Sequence, residues 1–600
     1  MVLISAAVEY RLLNAGDTAI VVEFGDSIDR NLNAIVLALA NQLDQSRTPG
    51  LVETVPTFRS LTVFYEPLTL APPVLMKRID EMVQALVTTQ DAGRLWRLPV
   101  CYDPEIAPDL NAVANRTGLT PSQVVERHSG VTYRLHGRCA AGARAAAPDV
   151  SAPEDTRRHA RNRHGDVPDH AARDSLGTQS DRPFADRDVA PAWQIRPPPP
   201  HAAGAWRQGH LSAGFSARIR CAGRKGGGWR AGSRAGERSD RRTQRCSRMK
   251  PSLHVLNPGL MTTVQDLGRS GFHNLGIGTS GALDPVALRL ANLLVGNEPG
   301  KGGLEILYLG PALEIDAESV RMSFVGAATV EIRKHRAAAS GRRIDAMRSV
   351  LARRAEVVRV GSVTAGAALY IGIEGGFDIE PILGSVSTNI RGGIGGWHAR
   401  ALIAGERLPL LQARASDRGE AQAGEIVLRA PRRIRAIPGP QADHFNDAEL
   451  SKFFASEYTV QAGSDRVGMR LQGEPIRHAR GFNIASDATA PGSIQVPGTG
   501  QPIVLMADRQ TIGGYPKIAT VISADLPALG RLSIGRKIGF EAVTVETALA
   551  LRRQMLSELE NLPGHIVPLV PDHGDIDGLM LGQNLISGVV DVFHDQEAGA

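Results

Sequence analysis

Apolar positions recur with two different periods along the chain. In the first hundred residues, Ala19 to Phe24 form an apolar run that reads as a strand. Ile28, Leu32, Ile35, Val36, Leu39 and Leu43 fall at helical spacing. Leu61, Val63 and Tyr65 alternate as a half-buried strand ending at Pro67, and Leu75, Ile79, Met82, Val83 and Leu86 mark a second helix over 74–87. This β-α-β-α order predicts a small α+β domain over 1–97. A further unit opens after Pro99 and spans 98–135. In it Thr120 caps a short helix with Pro121 in its first turn, running to about His128.

The patterning stops at Tyr133-Arg134-Leu135 and resumes at Met249-Lys250-Pro251. Between them, residues 136–249 hold only seven Ile, Leu or Val, a PPPP run at 197–200 and three of the five tryptophans. So few aliphatic side chains cannot offset the entropy of ordering the chain, which predicts disorder. A natural linker would favour Ser, Gly, Glu and Lys, and an Arg-rich RNA-binding tail would show repeats; this segment does neither. Its Arg, Ala, Gly, Pro and His bias is that of GC-rich coding DNA read out of frame, so the segment reads as frameshifted. The Met249 that follows it is placed to serve as a start.

From Met249 onward short strands and glycine turns dominate. Asp284 is a good N-cap, Pro285 fits the first helical position, Gly296 follows the last turn, and Leu290, Leu293 and Leu294 face a core. The polar stretch from Thr262 to Asp284 reads either as turns fastening a barrel end or as a ligand-facing rim carrying Asp266, Arg269, Ser280 and Asp284. Gly296 to Gly302 fails the phosphate-loop spacing and reads as a surface turn. Strands are expected at Val357–Val360, Ala368–Ile373, Glu425–Leu428 and Ile434–Ile437, with Gly392 to Gly396 a mobile loop. A second unit, 438–600, opens at Pro438 and includes Asp465-Arg466. Its densest strands are Ile503–Ala507 and Ile518–Ile522, apolar runs of the kind buried on both faces.

The ten residues between those strands, Asp508 to Lys517, hold an acid, two bases, an amide, a hydroxyl and a phenol. A plain hairpin needs about two to five residues. Asp508, Arg509 and Lys517 are the candidate catalytic groups, the acid as a general base and the cations as anchors for an anion. Gln510, Gly513, Gly514 and Tyr515 are candidate binding positions, with Gln495 on a neighbouring strand projecting toward the same pocket. The alternative is a salt-bridged loop that fastens a barrel.

Composition changes this picture little, except for charge. The chain carries +6, yet residues 136–249 alone hold 22 basic and 11 acidic residues; the remainder has 46 and 51. A nucleic-acid partner would rest on that one segment, and none is expected. Four cysteines show no CxxC or His/Cys metal spacing, so no metal site or disulfide framework is read. No apolar run reaches the roughly 18 residues a membrane helix needs, and residues 1–20 lack a signal-peptide pattern. A cytoplasmic protein without a membrane partner is the expectation.

Two resemblances are carried by specific motifs. Gly16-Asp17 and Gly50-Leu51-Val52-Glu53-Thr54-Val55-Pro56-Thr57-Phe58-Arg59-Ser60-Leu61 resemble the B subunit of bacterial 5-oxoprolinase (allophanate hydrolase subunit 1); the motifs of its second half are missing from residues 136–249. Residues 249–592 resemble the C subunit (allophanate hydrolase subunit 2, the carboxyltransferase-like family). They do so through Thr263-Val264-Gln265-Asp266-Leu267-Gly268-Arg269, Ser280 to Asp284, Leu383-Gly384-Ser385, Pro438 to Gln441, Ser464 to Gly468, Gly492 to Lys517 and Asn584 to Asp591. The resemblance implies a mainly β fold with two cyclophilin-like β-barrels (250–437 and 438–600) behind the α+β domain. It implies ATP-dependent opening of 5-oxo-L-proline to glutamate, with ATP and Mg2+, in a complex with the A subunit and an intact B subunit of 5-oxoprolinase. The alternatives are biotin-dependent urea carboxyltransfer, for which no biotin-carrier segment is present, and regulation of a histidine kinase.

Overall fold

The computed structural model describes residues 9–86, 97, 100–103, 106–131 and 250–569, apart from 427 and 429. The frameshift reading of 136–249 and the Asn584–Asp591 motif lie outside the described residues.

The N-terminal domain is a four-stranded antiparallel sheet with two helices on one face. Its strands are β1 (Arg11–Asn14), β2 (Ala19–Glu23), β3 (Leu51–Pro56) and β4 (Ser60–Tyr65), in the order β1-β2-β4-β3. Helix α1 (Arg30–Ser46) starts where the Asp29 carboxylate accepts from the N–H groups of Asn31 and Leu32. Ile28 precedes that cap and is exposed, so it is not part of the helical stripe. Ile35, Val36, Leu39 and Leu43 pack on Leu75 and Ile79 of α2 (Pro72–Gln84) and on Leu61, Val63 and Tyr65. The sequence reading missed β1 and β3, whose apolar patterns are broken by Arg11 and Glu53. Nor is β4 half-buried: its other face is covered too. Ala19, Val21, Val55 and Phe64 form a second apolar cluster with Ala488 and Ala490 from the far end of the chain. Beyond this domain, α3 (Leu110–Thr117) and α4 (Pro121–Ser129) pair; the Thr120 hydroxyl and Gln123 close a reciprocal cap with Pro121 at the first position.

The next unit is an eleven-stranded sheet wrapped around one core that runs from Leu253 to Leu410. Its strands are β5 (Ser252–Asn257), β6 (Met261–Gln265), β7 (Gly303–Leu307), β8 (Ala312–Asp316), β9 (Ser319–Arg333), β10 (Arg342–Ile344), β11 (Arg348–Arg353), β12 (Val357–Ile373), β13 (Arg407–Pro409), β14 (Ala421–Ala423) and, from the end of the described chain, Ile566–Pro568 paired with β14. The two strands expected at Val357–Val360 and Ala368–Ile373 are the ends of the single strand β12. Register shifts against β9 bend it between them. The strand expected at Glu425–Leu428 lies earlier, as β14; the chain turns at Gly424, whose N–H donates to the His565 carbonyl. Helix α5 (Pro285–Leu294) is capped by Asp284 as the sequence indicated. The Gly392–Gly396 loop is not a free one. Asn389 bridges to Ile394, and a Cβ on Gly395 would stand 2.1 Å from the Ser387 carbonyl oxygen, so glycine serves close approach there.

The third unit is a closed barrel of seven strands. It contains β15 (Arg433–Pro438), β16 (Glu457–Val460), β17 (Gly468–Gln472), β19 (Ser493–Gln495), β20 (Ile503–Leu505), β22 (Lys517–Val521) and β23 (Lys537–Ala542); a separate pair, β18 (Asp487–Ala488) and β21 (Ile512–Gly513), sits beside it. The barrel order β15-β22-β19-β20-β17-β16-β23 closes through the parallel β15–β23 pair. Strands β20 and β22, expected to flank one loop, are not neighbours: β19 pairs with both. The connection from Met506 to Pro516 therefore crosses β19, which is why it is longer than a hairpin turn.

Candidate functional site

The polar residues of that crossing segment fall into two buried groups. In the first, Arg466 fills a space between the barrel and the eleven-stranded sheet. Its Nε and Nη2 donate to both Asp508 oxygens at 2.8 and 3.1 Å, Nη1 donates to Glu305, and Nη2 also donates to the Gly281 carbonyl at 2.7 Å. Glu305 accepts in turn from the Tyr370 hydroxyl and the Leu283 N–H. Burial alone would lower the Arg466 pKa, but Glu305 and Asp508 outweigh it and hold it above the ordinary guanidinium range. Asp508 is thus fully engaged by a guanidinium. Asp284 does similar work nearby, capping α5 and accepting from Arg531 Nε at 2.6 Å. Asp465 stands outside this group; its exposed carboxylate accepts from the N–H groups of Val467 and Gly468 in a local turn.

The second group lies where the N-terminal sheet meets the barrel. Lys517 opens β22 rather than ending a loop. It is 0% exposed, and its Nζ donates to Asp487 at 2.8 Å and to the Ala488 carbonyl at 3.2 Å. Asp487 also accepts from the Ser60 hydroxyl on β4 and from Gln441. Burial would raise its pKa, but Lys517, Ser60 and Gln441 together lower it. A few residues away, the Arg509 guanidinium donates to the Thr489 carbonyl and sits 3.1 Å from His273 Nε2. Burial brings the Arg509 pKa down to about 10. The Thr279 hydroxyl is 2.9 Å from the same nitrogen, and Glu53 Oε1 of β3 stands 2.6 Å from His273 Nδ1. Because Arg509 can only donate, Nε2 must accept. The ring proton is therefore on Nδ1, facing Glu53. Burial lowers the His273 pKa and Arg509 adds to this, while Glu53 opposes both. For Glu53, burial raises the pKa, but His273 and two backbone N–H groups hold it below the ordinary glutamate range.

Gln495 completes the second group. Its Oε1 accepts from Gln510 at 3.3 Å, whereas its buried Nε2 has no partner among the described residues. A Cβ on Gly513 would stand 2.5 Å from that nitrogen, so glycine leaves the amide its room. Gly514 is half-buried and Tyr515 exposed at the edge of this group.

The remaining candidates are Asp266, Arg269 and Ser280. Asp266 accepts from Ser385, Val386 N–H and Gly268 N–H, and it lines a cavity of about 330 Å³. Arg269 lies behind it, buried, and burial lowers its pKa; it donates to the Ser387 carbonyl. Ser280 has a left-handed backbone (φ 56°) and a buried hydroxyl without a partner among the described residues.

Sequence reasoning missed Glu53, His273, Thr279, Asp487, Thr489 and Gln441 as site residues. The available signal was an acid set among Leu51, Val52 and Val55 at Glu53, and an aspartate between Ser486 and Ala488 at Asp487. The partners, more than two hundred residues apart in the case of Glu53 and His273, gave none.

His273 predicts a pH dependence. Its folded pKa lies below the ordinary 6.5, so the unfolded chain takes up the proton first as pH falls. The stability tied to this ring is complete above about 6.5 and is lost as pH falls through the lower folded value. Glu53→Gln removes the charge opposing the shift and should move the imidazole titration further down, read by NMR. An unchanged titration would show that the carboxylate is not coupled to the ring.

A family model described as "Carboxyltransferase domain, subdomain A and B" matches residues 275–542, and one described as "Carboxyltransferase domain, subdomain C and D" matches residues 10–143. The chain is 37% identical over 310 residues to the 5-oxoprolinase C subunit of Escherichia coli (strain K12), covering 52% of this chain and 97% of that relative. It is 31% identical over 140 residues to the 5-oxoprolinase B subunit of Bacillus subtilis (strain 168), covering 22% of this chain and 58% of that relative. Among solved structures, TTHA0988 superimposes with a TM-score of 0.58 at 26% identity, covering 87% of this chain and 99% of that one.

Proposed function

The chain belongs to the C-subunit family of 5-oxoprolinase, and from that premise we propose that it is a component of an ATP-dependent 5-oxoprolinase that hydrolyses 5-oxo-L-proline to L-glutamate. The observation that carries this reading is the similarity to a 5-oxoprolinase C subunit over nearly its whole length, preceded in the same chain by a segment similar to the B subunit.

The reacting centre is assigned to the junction between the N-terminal sheet and the barrel. Opening a lactam builds negative charge on the carbonyl oxygen, and a fixed cation in a dry site stabilises it best. Arg509 suits that task. It is buried, and among the described residues it is in no ion pair, meeting only the Thr489 carbonyl and the His273 ring. The unpartnered Gln495 Nε2 is a donor for a substrate oxygen. Lys517 and Asp508, bound to Asp487 and Arg466, hold the walls.

The residues of the junction do not fit a nucleotide triphosphate. Lys517 already faces Asp487, which leaves Arg509 as the junction cation outside an ion pair among the described residues, too little charge for three phosphates. ATP and its magnesium are therefore assigned to a partner subunit of the complex. The chain is expected to be inactive by itself. The test is glutamate formation from 5-oxo-L-proline and ATP by this chain mixed with the A subunit and an intact B subunit. Turnover that needs all the components supports the reading, and no glutamate with every component present sinks it.

A further inference from the structure

The cavity of about 330 Å³ in the eleven-stranded unit lies apart from the junction, and its construction is specific. Its volume is within the range of small-molecule pockets, about 300–1,000 Å³. The floor is apolar: Phe377 is buried, and Ile379 and Val386 pack against the core beneath. Lys301 is the one cation lining it among the described residues. Two glycines shape the walls. A Cβ on Gly376 (φ 82°) would stand 2.7 Å from Lys301 Cε, so glycine gives the lysine stem a surface to lie along. A Cβ on Gly302 would stand 2.6 Å from Val386 Cγ2. Leu383, the neighbour in sequence of the lining residue Gly384, holds a left-handed backbone (φ 54°), a strain of the sort that accompanies binding sites.

The charges at this cavity are not equivalent. The Asp266 carboxylate is taken up by Ser385, Ser387 and Val386 N–H, building the wall. Asp378 at the mouth is 3.3 Å from Lys250. Lys301 is left as the lining cation with no carboxylate partner among the described residues, beside apolar Phe377, Ile379 and Val386, and an anion with a compact hydrocarbon body matches that set. A lysine presents a point charge, which suits a single carboxylate.

We propose that this cavity binds a small organic carboxylate, its charge on Lys301 and its body against Phe377, Ile379 and Val386. Only the choice of 5-oxo-L-proline as one probe rests on the proposed function.

Calorimetric titration of the full chain, without ATP or partners, tests it with three probes. These are 5-oxo-L-proline, cyclopentanecarboxylate, which is a ring acid without the lactam, and 2-pyrrolidinone, which is the lactam without the acid. Both acids are expected to bind, and 2-pyrrolidinone tenfold more weakly or worse. Lys301→Met keeps the stem without the charge; because Lys301 is exposed, the fold should be retained, checked by circular dichroism. That variant is expected to weaken both acids at least tenfold, and binding should also weaken as salt is raised. Binding of neither acid, or equal binding by Lys301→Met, overturns the proposal. Binding of cyclopentanecarboxylate but not 5-oxo-L-proline upholds the cavity and separates its ligand from the substrate proposed for the junction. Turnover of 5-oxo-L-proline in the full complex, with acid binding unaffected by Lys301→Met, does the reverse.

Discussion

Arg466→Met is expected to destabilise the chain more than any other single change at the polar centre. Its guanidinium neutralises two buried carboxylates, Asp508 and Glu305, and satisfies the Gly281 carbonyl. Removing one partner of a buried ion pair costs about 3–5 kcal/mol because the other is left uncompensated; here two would be left. Methionine fills much of the volume, so the loss reports charge rather than a cavity. Arg466→Lys should recover only part of it, since one ammonium cannot span both carboxylates and the carbonyl in the planar geometry they require. The check is the urea midpoint followed by far-UV circular dichroism. A midpoint for Arg466→Met within experimental error of the parent would show that the node contributes nothing to stability.

The second large effect is expected at Lys517. Its ammonium is fully buried on Asp487, so Lys517→Ala leaves that carboxylate without its counter-charge inside the junction, held only by neutral donors, at a cost again of about 3–5 kcal/mol. Loss of turnover in that variant would therefore mix unfolding with chemistry. The informative comparison is Lys517→Met alone, Asp487→Asn alone and the two together. The double variant should be more stable than Lys517→Met, because no charge remains unpaired, and the difference is the coupling energy. The pair also sets an acid limit. The Asp487 pKa lies below the ordinary value of 3.8, so its stabilisation is complete above that value and is lost as pH falls through the lower folded one. Additive single changes, with no gain in the double variant, would sever Lys517 from Asp487.

The same residues show what could be read in advance. The polar density of Asp508 to Lys517 marked the segment, because a short connection rarely spends so many charges without partners. The Asp284 cap was legible because N-caps follow a local rule, and so were the helices at Leu39 and Leu75, because their period is local. The segment's path was not legible. Its length looked like that of a decorated loop, whereas it reflects the need to cross β19, a pairing that no short-range pattern encodes. For the same reason Lys517 looked like a ligand-facing cation. Only tertiary structure brings Asp487 to it, Arg466 to Asp508, and Glu53 of β3 to His273. The burial of both faces of β4 was hidden likewise, since the cover at Ala488 and Ala490 comes from over four hundred residues away.

The pairing of Ile566–Pro568 with β14 has a consequence for the order in which the chain can fold during synthesis. The barrel strands run from Arg433 to Ala542 without a break, so the barrel can close as soon as that stretch has left the ribosome. The eleven-stranded unit is made earlier but is finished later, when its last strand emerges after the barrel. Until then β14 presents an open edge, the kind of surface that recruits other chains. Slow translation between residues 423 and 566 should therefore favour aggregation of this protein, although the barrel strands that occupy much of that interval belong to a different unit from the edge left exposed.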